Sequence, residues 1–216
     1  RLDKADCIFI LGADPGRTHK VLASRIRSRV RKQNIPLITV NLRKAVLDDI
    51  SNVAVRIKSK TDGILLNTFI HLALDNPRTK LNRDIPKTLK KKFSRYTPET
   101  AESVTGIAWE KILQISRILF RAENPVFVYG RGLTNQNNPG IFHALMHLSR
   151  LVGKIENGKF PILGLRHGAN ARGTFEMNRL LPENPENQND RSGDVFDQID
   201  PKETQFLFLA LSDDEI

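Results

Sequence analysis

Residues 7–16 read CIFILGADPG, so five apolar residues run straight into a glycine-bearing loop. An unbroken apolar run of this length predicts a strand buried on both faces, as in a parallel sheet. A strand that ends in glycines at the start of a helix lets backbone N–H groups approach a phosphate-bearing ligand. Alone, the loop also fits an ordinary βα turn, because the G-x-G-x-x-G spacing of dinucleotide-binding proteins is absent.

Two later stretches repeat this arrangement. Residues 125–134 read PVFVYGRGLT, and residues 166–173 read RHGANARG after the apolar stretch 160–165. The carboxyl ends of parallel strands meet at one edge of a sheet, where open α/β folds bind their ligands. The three loops therefore predict one shared cleft for a long anionic ligand.

The remaining patterns predict a strand–helix alternation with right-handed crossovers. Leu22, Ile26 and Val30 recur every four residues and predict a helix over 18–32. The fold class predicted is α/β, with two Rossmann-like lobes whose mostly parallel sheets are flanked by helices. The boundaries expected are a first lobe at 1–75, an irregular connection at 76–104, and a second lobe at 105–216, truncated at its C-terminus. Strands are predicted at 6–11, 37–40, 53–57, 126–129 and 205–211, and helices at 45–50, 64–74, 108–122 and 138–152.

Composition excludes several classes of protein. Hydrophobic residues make up 39% and charged residues 27%, which is typical of a soluble globular chain, and the apolar runs are too short to span a bilayer. The single cysteine, Cys7, excludes an internal disulfide and a cysteine-ligated iron–sulfur cluster or zinc site in this chain. We therefore expect a reducing, cytoplasmic location.

The formal net charge of +10 is unevenly distributed. Residues 17–60 are basic, with Asp48 and Asp49 as their only acids, whereas residues 183–215 are acidic. The basic surface indicates either an anionic partner or simply a solvated helix face. Nucleic acid is not expected as a partner, because no binding-domain signature interleaves aromatic with basic residues.

The first two predicted strand ends supply the first group of candidate ligand residues. Gly12 permits a tight turn, either Asp14 or Thr18 is suited to cap the following helix, and His19 lies in its first turn. Asn41 and Arg43 follow the second strand, where doubly wound folds contact a ribose, a base edge or a phosphate. Asn41 both donates and accepts hydrogen bonds, and either residue could equally start an ordinary loop.

The second and third loops supply the other candidates. These are Gly130, Gly132, Arg166, Asn170 and Arg172. The density of donors around the third loop favours a ligand-facing role. No catalytic residues are predicted, because no nucleophile–base or paired-carboxylate arrangement is apparent. A metal on the i, i+4 histidine pair at 143 and 147 is not expected, since no third ligand is evident.

The order of these features resembles the molybdopterin oxidoreductases. This family includes formate dehydrogenase large subunits and the large iron–sulfur subunit of NADH:quinone oxidoreductase (respiratory complex I). The similarity extends over nearly the whole chain, with 75–103 as its weak stretch. The stretches that carry it are ADCIFILGADP at 5–15, THKV at 18–21, NLR at 41–43, TDG at 61–63, TGI at 105–107, PVFVYGRG at 125–132, LVGKI at 151–155 and GANARG at 168–173.

The resemblance implies the second and third domains of a formate dehydrogenase or dimethylsulfoxide reductase type of fold, cut from a longer polypeptide. It implies that the first group of candidates lines one nucleotide of an ancestral molybdopterin guanine dinucleotide site, whether filled or empty, and that the second group lies near cofactor loops. It implies no iron–sulfur cluster in this part. The partners implied are the remainder of the polypeptide and other subunits of an electron-transfer complex, with membrane contact only through those subunits.

Two departures from the family pattern bear on the function that the resemblance implies. Asn41 and Leu42 replace an aspartate–proline pair, and no metal-ligating cysteine lies between the lobes. These departures favour the large subunit of respiratory complex I, with a degenerate molybdopterin site and no activity of this chain alone. The alternative is the catalytic subunit of a molybdenum- or tungsten-dependent formate dehydrogenase.

Overall fold

The computed structural model describes residues 2–76, 87–136, 138–153 and 160–166. The described part of the chain forms a five-stranded sheet in the order β3-β2-β1-β4-β5, and every neighbouring pair is parallel. The predicted α/β class with a parallel sheet is thereby confirmed. The strands are β1 (Cys7–Leu11), β2 (Leu37–Asn41), β3 (Val53–Arg56), β4 (Pro125–Tyr129) and β5 (Ile162–Gly164).

Helices connect the strands and cover both faces of the sheet. The predicted helix over 18–32 is divided at His19, and a 3₁₀ turn (Asp48–Ile50) replaces the helix expected at 45–50. The helices are α1 (Pro15–Thr18), α2 (Lys20–Gln33), α3 (Asp62–Leu74), α4 (Lys87–Phe93), α5 (Pro98–Thr105), α6 (Trp109–Arg121), α7 (Arg131–Thr134) and α8 (Pro139–Val152). Within the described residues, no helix is long and apolar enough to cross a membrane.

Strand β1 is the centre of the core because both of its faces are buried. Successive side chains of a strand point to opposite faces. Phe9 packs on one face with Phe69 of α3 and Phe127 of β4, at ring-centroid distances of 6.1 and 5.6 Å. Ile8 and Ile10 pack on the other face, in a second apolar cluster that includes residues of α2. The unbroken apolar run at 7–11 therefore reflects helices on both sides of the sheet.

The sheet includes strands from both of the predicted lobes. Strands from both sides of the expected 76–104 connection belong to one sheet, since Cys7 to Leu11 of β1 pair in register with Pro125 to Tyr129 of β4. The described residues up to 165 belong to one compact unit. Part of the expected irregular connection is helical: Thr97 caps the start of α5, and Gly106, with a left-handed backbone, ends it. The strand predicted at 205–211 lies outside the described residues.

Strand order places a topological switch point between β1 and β4. From β1 the chain proceeds outward through β2 to β3, and after β4 it proceeds in the opposite direction to β5. In open α/β sheets the crevice beyond the carboxyl ends of the strands at such a point is the usual ligand site. The first two glycine loops follow the two strands that flank it.

Candidate functional site

The glycine loops after β1 and β4 are in direct backbone contact. The Gly132 N–H donates to the Gly12 carbonyl at 2.9 Å, and the Gly12 N–H donates to the Val40 carbonyl at 2.9 Å. Gly12 has a φ of +58°, which L side chains rarely adopt. A Cβ on Gly130 would lie 2.9 Å from the Ala13 Cβ. These glycines therefore allow two loops to approach each other, and two of their N–H groups are used within the protein.

Asp14 joins the loop after β1 to the loop after β2. Its carboxylate accepts hydrogen bonds from the Gly16 N–H at 3.1 Å and the Val46 N–H at 3.3 Å. Arg17 forms an ion pair with it at 3.3 Å. The expected helix cap is confirmed, because the Gly16 bond lies at the N-terminus of α1. These contacts fix the relative position of two loops at the carboxyl edge of the sheet.

His19 and Arg43 lie at the same edge of the sheet. His19 precedes α2 and is half-buried, with its Nδ1 2.9 Å from the Thr18 Oγ1. Arg43 follows β2 and is exposed. Both side chains lie in segments that begin where a central strand ends, so they are available to contact a ligand at this edge.

Asn41 has a buried donor with no acceptor in the described part of the chain. It is the last residue of β2 and only 7% exposed, and its backbone carbonyl accepts from the Ile57 N–H at 3.2 Å. Its side-chain Nδ2 is buried without a hydrogen-bond partner among the described residues. An unsatisfied buried donor costs about 1–3 kcal/mol. A ligand acceptor at the carboxyl edge would remove this cost.

Asp48 organises the loop after β2, a role that sequence patterns did not reveal. Its side chain is 5% exposed and forms an ion pair with Arg56 of β3. The Thr39 hydroxyl and the Ala45 N–H donate to its two oxygens at 2.6 and 2.7 Å. The one signal in the sequence is that an acid interrupts the basic stretch 17–60. This network holds the loop that carries the candidate residues at 41 and 43.

A second buried carboxylate, Asp62, connects α3 through Gln136 to the glycine loop after β4. The Gln136 side-chain Nε2 donates to Asp62 and also to the Gly132 carbonyl, the latter at 2.8 Å. Asp62 is 4% exposed, and removal from water raises the pKa of its carboxyl, although the bond from Gln136 acts in the opposite direction. In the sequence, Asp62 stood out only as part of the TDG stretch at 61–63.

Replacing Asp62 tests whether burial raises the pKa of its carboxyl, because such a shift makes the stability of the protein depend on pH. Burial favours the protonated carboxyl, so the folded chain binds this proton more tightly than the unfolded chain. The contribution of Asp62 to the free energy of unfolding is therefore largest below its unfolded pKa. It falls as pH rises through the window between that value, about 3.9, and the raised folded value. We expect Asp62→Asn to remove this fall, as measured by urea midpoints between pH 3 and 7. Exposed Asp49, replaced by Asn, is the control, and an equal change in both variants would contradict the assignment.

The third glycine loop lies almost wholly beyond the described residues. Arg166 is exposed, whereas Asn170 and Arg172 are not described, so the predicted convergence of three loops is observed for two of them. His143 and His147 are exposed on α8. In the ranges that the structure describes, no three His, Cys, Asp or Glu residues form a group that could hold a metal ion.

Cys7 lies in the interior of the sheet. It is 1% exposed, and burial, with a smaller contribution from the nearby Asp6 carboxylate, raises the pKa of its thiol to about 12. A thiol of this kind stays protonated at neutral pH and is a poor nucleophile. Cys7 is therefore a packing residue of β1.

Comparison with known proteins gives a consistent family match. The model of the molybdopterin oxidoreductase family matches residues 1–216. The alpha subunit of an F420-dependent formate dehydrogenase from Methanocaldococcus jannaschii is 27% identical over 186 residues, which are 83% of this chain and 27% of that protein. Formate dehydrogenase H from Escherichia coli is 23% identical over 186 residues, again 83% of this chain but 26% of that protein.

Solved structures show a similar fold. Acetylene hydratase from Pelobacter acetylenicus superposes with a TM-score of 0.65 over 73% of this chain and 23% of its own, at 15% identity. At this identity the likeness concerns the fold alone. The chain spans about a quarter of the length of the two curated relatives above, 27% of the first and 26% of the second.

Proposed function

Because the chain belongs to the molybdopterin oxidoreductase family, we propose that it forms a cofactor-binding part of the catalytic subunit of a formate dehydrogenase-type enzyme. The sequence favoured the large subunit of respiratory complex I with a degenerate site. The formate dehydrogenases among its relatives support the alternative better. The family is one of oxidoreductases and implies a molybdopterin cofactor.

One observation of the structure carries the cofactor assignment: the buried Asn41 Nδ2 that has no acceptor among the described residues. It lies at the carboxyl end of β2, next to the central strand of the switch point. A nucleotide presents carbonyl, ring-nitrogen and hydroxyl acceptors, so the donor set fits such a group. Asparagine in place of an acid exchanges an acceptor for a donor, which alters base readout without removing it.

We assign roles to the other residues at this edge by their chemistry. Arg43 supplies an exposed guanidinium, which binds phosphate oxygens in a bidentate fashion. His19 supplies a further polar contact, while the paired loops at Gly12 and Gly132 form a floor with no side chains. Asp14 joins the loop after β1 to the loop after β2, and Asp48 holds the latter in place. When bound, the cofactor supplies the metal centre that takes two electrons from formate as it is converted to CO₂ and a proton.

Metal and cofactor content test the proposed function. We expect the full-length protein to contain molybdenum or tungsten by elemental analysis and to release a fluorescent oxidised pterin on acid treatment. It should also reduce a viologen dye in the presence of formate. A purified protein with neither metal nor pterin would reject the catalytic assignment in favour of a scaffold subunit.

Asn41→Leu separates the cofactor role of this residue from a structural one. Leucine has a similar shape and no unsatisfied donor, so the cofactor-free protein should gain about 1 kcal/mol in free energy of unfolding. The pterin content of the full-length protein should fall severalfold. Urea denaturation and pterin fluorescence measure the two effects.

Asn52→Leu is the matched control for Asn41→Leu. The Asn52 side-chain oxygen accepts from the Leu37 N–H at 2.9 Å, at the amino end of β2 and far along the strand from residue 41. Its loss should cost about 1 kcal/mol and leave pterin content unchanged. If both variants lost stability and kept their pterin, residue 41 would have no cofactor role.

A further inference from the structure

A cleft of about 590 Å³ lies on the helical layer between α3, the segment joining α4 to α5, and α8. Helices α3 and α8 begin near the carboxyl edge of the sheet and run back along it. The cleft extends from Gly140 in the first turn of α8 to Leu74 and Leu151 in the last turns of the two helices. Its volume is within the range of small-molecule sites.

The floor of the cleft is apolar. Ile70, Leu74 and Leu151 are 2%, 4% and 5% exposed and belong to the main core cluster. Phe93 of α4 is half-buried and closes one side. Such a floor favours a ligand with a hydrocarbon body, because burial gains about 25 cal/mol per Å² of apolar surface.

The rim of the cleft is cationic. Lys92, Arg95 and Arg150 line it and are exposed, and the lining residues that the structure describes include no aspartate or glutamate. A nearby acid, Asp75, forms an ion pair with Lys90 at 3.0 Å and does not line the cleft. The charge on this rim is complementary to an anionic head group.

Tyr96 adds a directed donor to the wall. It is 5% exposed, and its hydroxyl accepts from the Asn67 Nδ2 at 2.7 Å and the Arg95 Nη2 at 3.0 Å. The Arg95 guanidinium also lies over the Tyr96 ring, 5.1 Å from its centroid. A hydroxyl that accepts two bonds still has its own hydrogen to donate, and no acceptor for it is recorded among the described residues. An oxygen of a bound anion would satisfy it.

We propose that this cleft binds an amphiphilic carboxylate, with its hydrocarbon body on the Ile70–Leu74–Leu151 floor and its carboxylate at the Tyr96 hydroxyl and the Arg150 guanidinium. The site is distinct from the cofactor edge and does not depend on formate dehydrogenase activity. A small ligand accounts for both the concave shape and the directed donor.

Three probe molecules test the proposal in the full-length protein by isothermal titration calorimetry. Decanoate carries both the chain and the charge, decanol only the chain, and acetate only the charge. Decanoate should bind at least about tenfold more tightly than either of the others, because a charge-assisted hydrogen bond adds that much affinity to apolar burial. Equal binding of decanol would overturn the proposal and indicate a nonspecific apolar crevice.

Variants locate the binding within the molecule. Arg150→Glu should weaken decanoate binding by at least about tenfold, and Tyr96→Phe should weaken it severalfold while keeping the ring on the core. Arg117→Glu makes the same charge change at an exposed residue of α6 and should leave binding unchanged. An equal loss in Arg117→Glu would overturn the site, and so would an absence of decanoate binding in the full-length protein, which would mean that another part of the protein covers the cleft.

Discussion

Gly132→Ala is expected to lower the free energy of unfolding by about 3 kcal/mol and to reduce cofactor content. A Cβ at this position would lie 2.6 Å from the Gly12 Cα and 2.8 Å from the Gly12 carbonyl oxygen. Both atoms are backbone, so no flexible side chain can move aside. The two loops must separate, which breaks the hydrogen bond from the Gly132 N–H to the Gly12 carbonyl. The broken loop contact lowers stability. Cofactor content falls as well, because the two loops flank the switch point at which the cofactor is proposed to bind.

Gly63→Ala is the matched control for this change. A Cβ on Gly63 would lie 3.5 Å from the Ile141 Cγ1, which is an ordinary contact, and Gly63 lies inside α3. Alanine there should leave stability unchanged or raise it by about 0.5–1 kcal/mol through helix propensity. The single tryptophan, Trp109, packs against the core, so its fluorescence reports unfolding in urea. If both variants unfolded at the same urea concentration, the loop contact would not need glycine at 132.

Sequence patterns predicted individual helices and strands well where the apolar pattern depends only on which faces of that element are buried. The apolar run at 7–11 indicated a buried strand because helices cover both faces of β1. The four-residue spacing of Leu22, Ile26 and Val30 indicated α2, in which Ile26 is fully buried and the other two are partly buried. Local periodicity records which faces of an element are covered, so it was sufficient for these elements.

Strand neighbours were not predictable in the same way. An apolar run shows that both faces of β1 are covered, but it does not show which strands pair with its two edges. The pairing of β1 with β4 joins residues more than a hundred positions apart, and it places the two predicted lobes in one sheet. A long basic segment without periodicity looked like a border between domains, although its described part includes α4 and α5.

In the candidate site too, contacts between separate segments were not predictable from local sequence patterns. Glycines at 12, 130 and 132 stood out because they follow strands, yet their use for contact between two loops depends on strand order. Asn41 was noted as a departure from the family pattern, but its unsatisfied donor appears only when its burial is known. Asp48 and Asp62 were not recognised at all as site residues, because each acts through partners on separate segments.

Asp48→Ala is expected to lower the free energy of unfolding by about 2–3 kcal/mol. The carboxylate side chain is 5% exposed, so its loss leaves the Thr39 hydroxyl and the Ala45 N–H without an acceptor in a buried position. The loss should be below the 3–5 kcal/mol of a fully buried ion pair, because the Arg56 side chain is 40% exposed and can be hydrated when its partner is removed.

The next residue provides the control for Asp48→Ala. Asp49 also forms an ion pair, with Lys44 at 3.0 Å, but the two side chains are 71% and 73% exposed. Asp49→Ala should therefore change stability by less than about 0.5 kcal/mol, since solvent screens such a pair.

Urea denaturation of both variants, together with Asp48→Asn, separates the contribution of the hydrogen bonds from that of the charge. Asparagine keeps an acceptor for Thr39 and loses the charge, so a stability near that of the unsubstituted protein would assign the network to hydrogen bonding. A loss as large as that of alanine would instead assign it to the second carboxylate oxygen, which accepts from the Ala45 N–H and pairs with Arg56. Equal stability of the two alanine variants would contradict any role of Asp48 in holding the loop of residues 41–47.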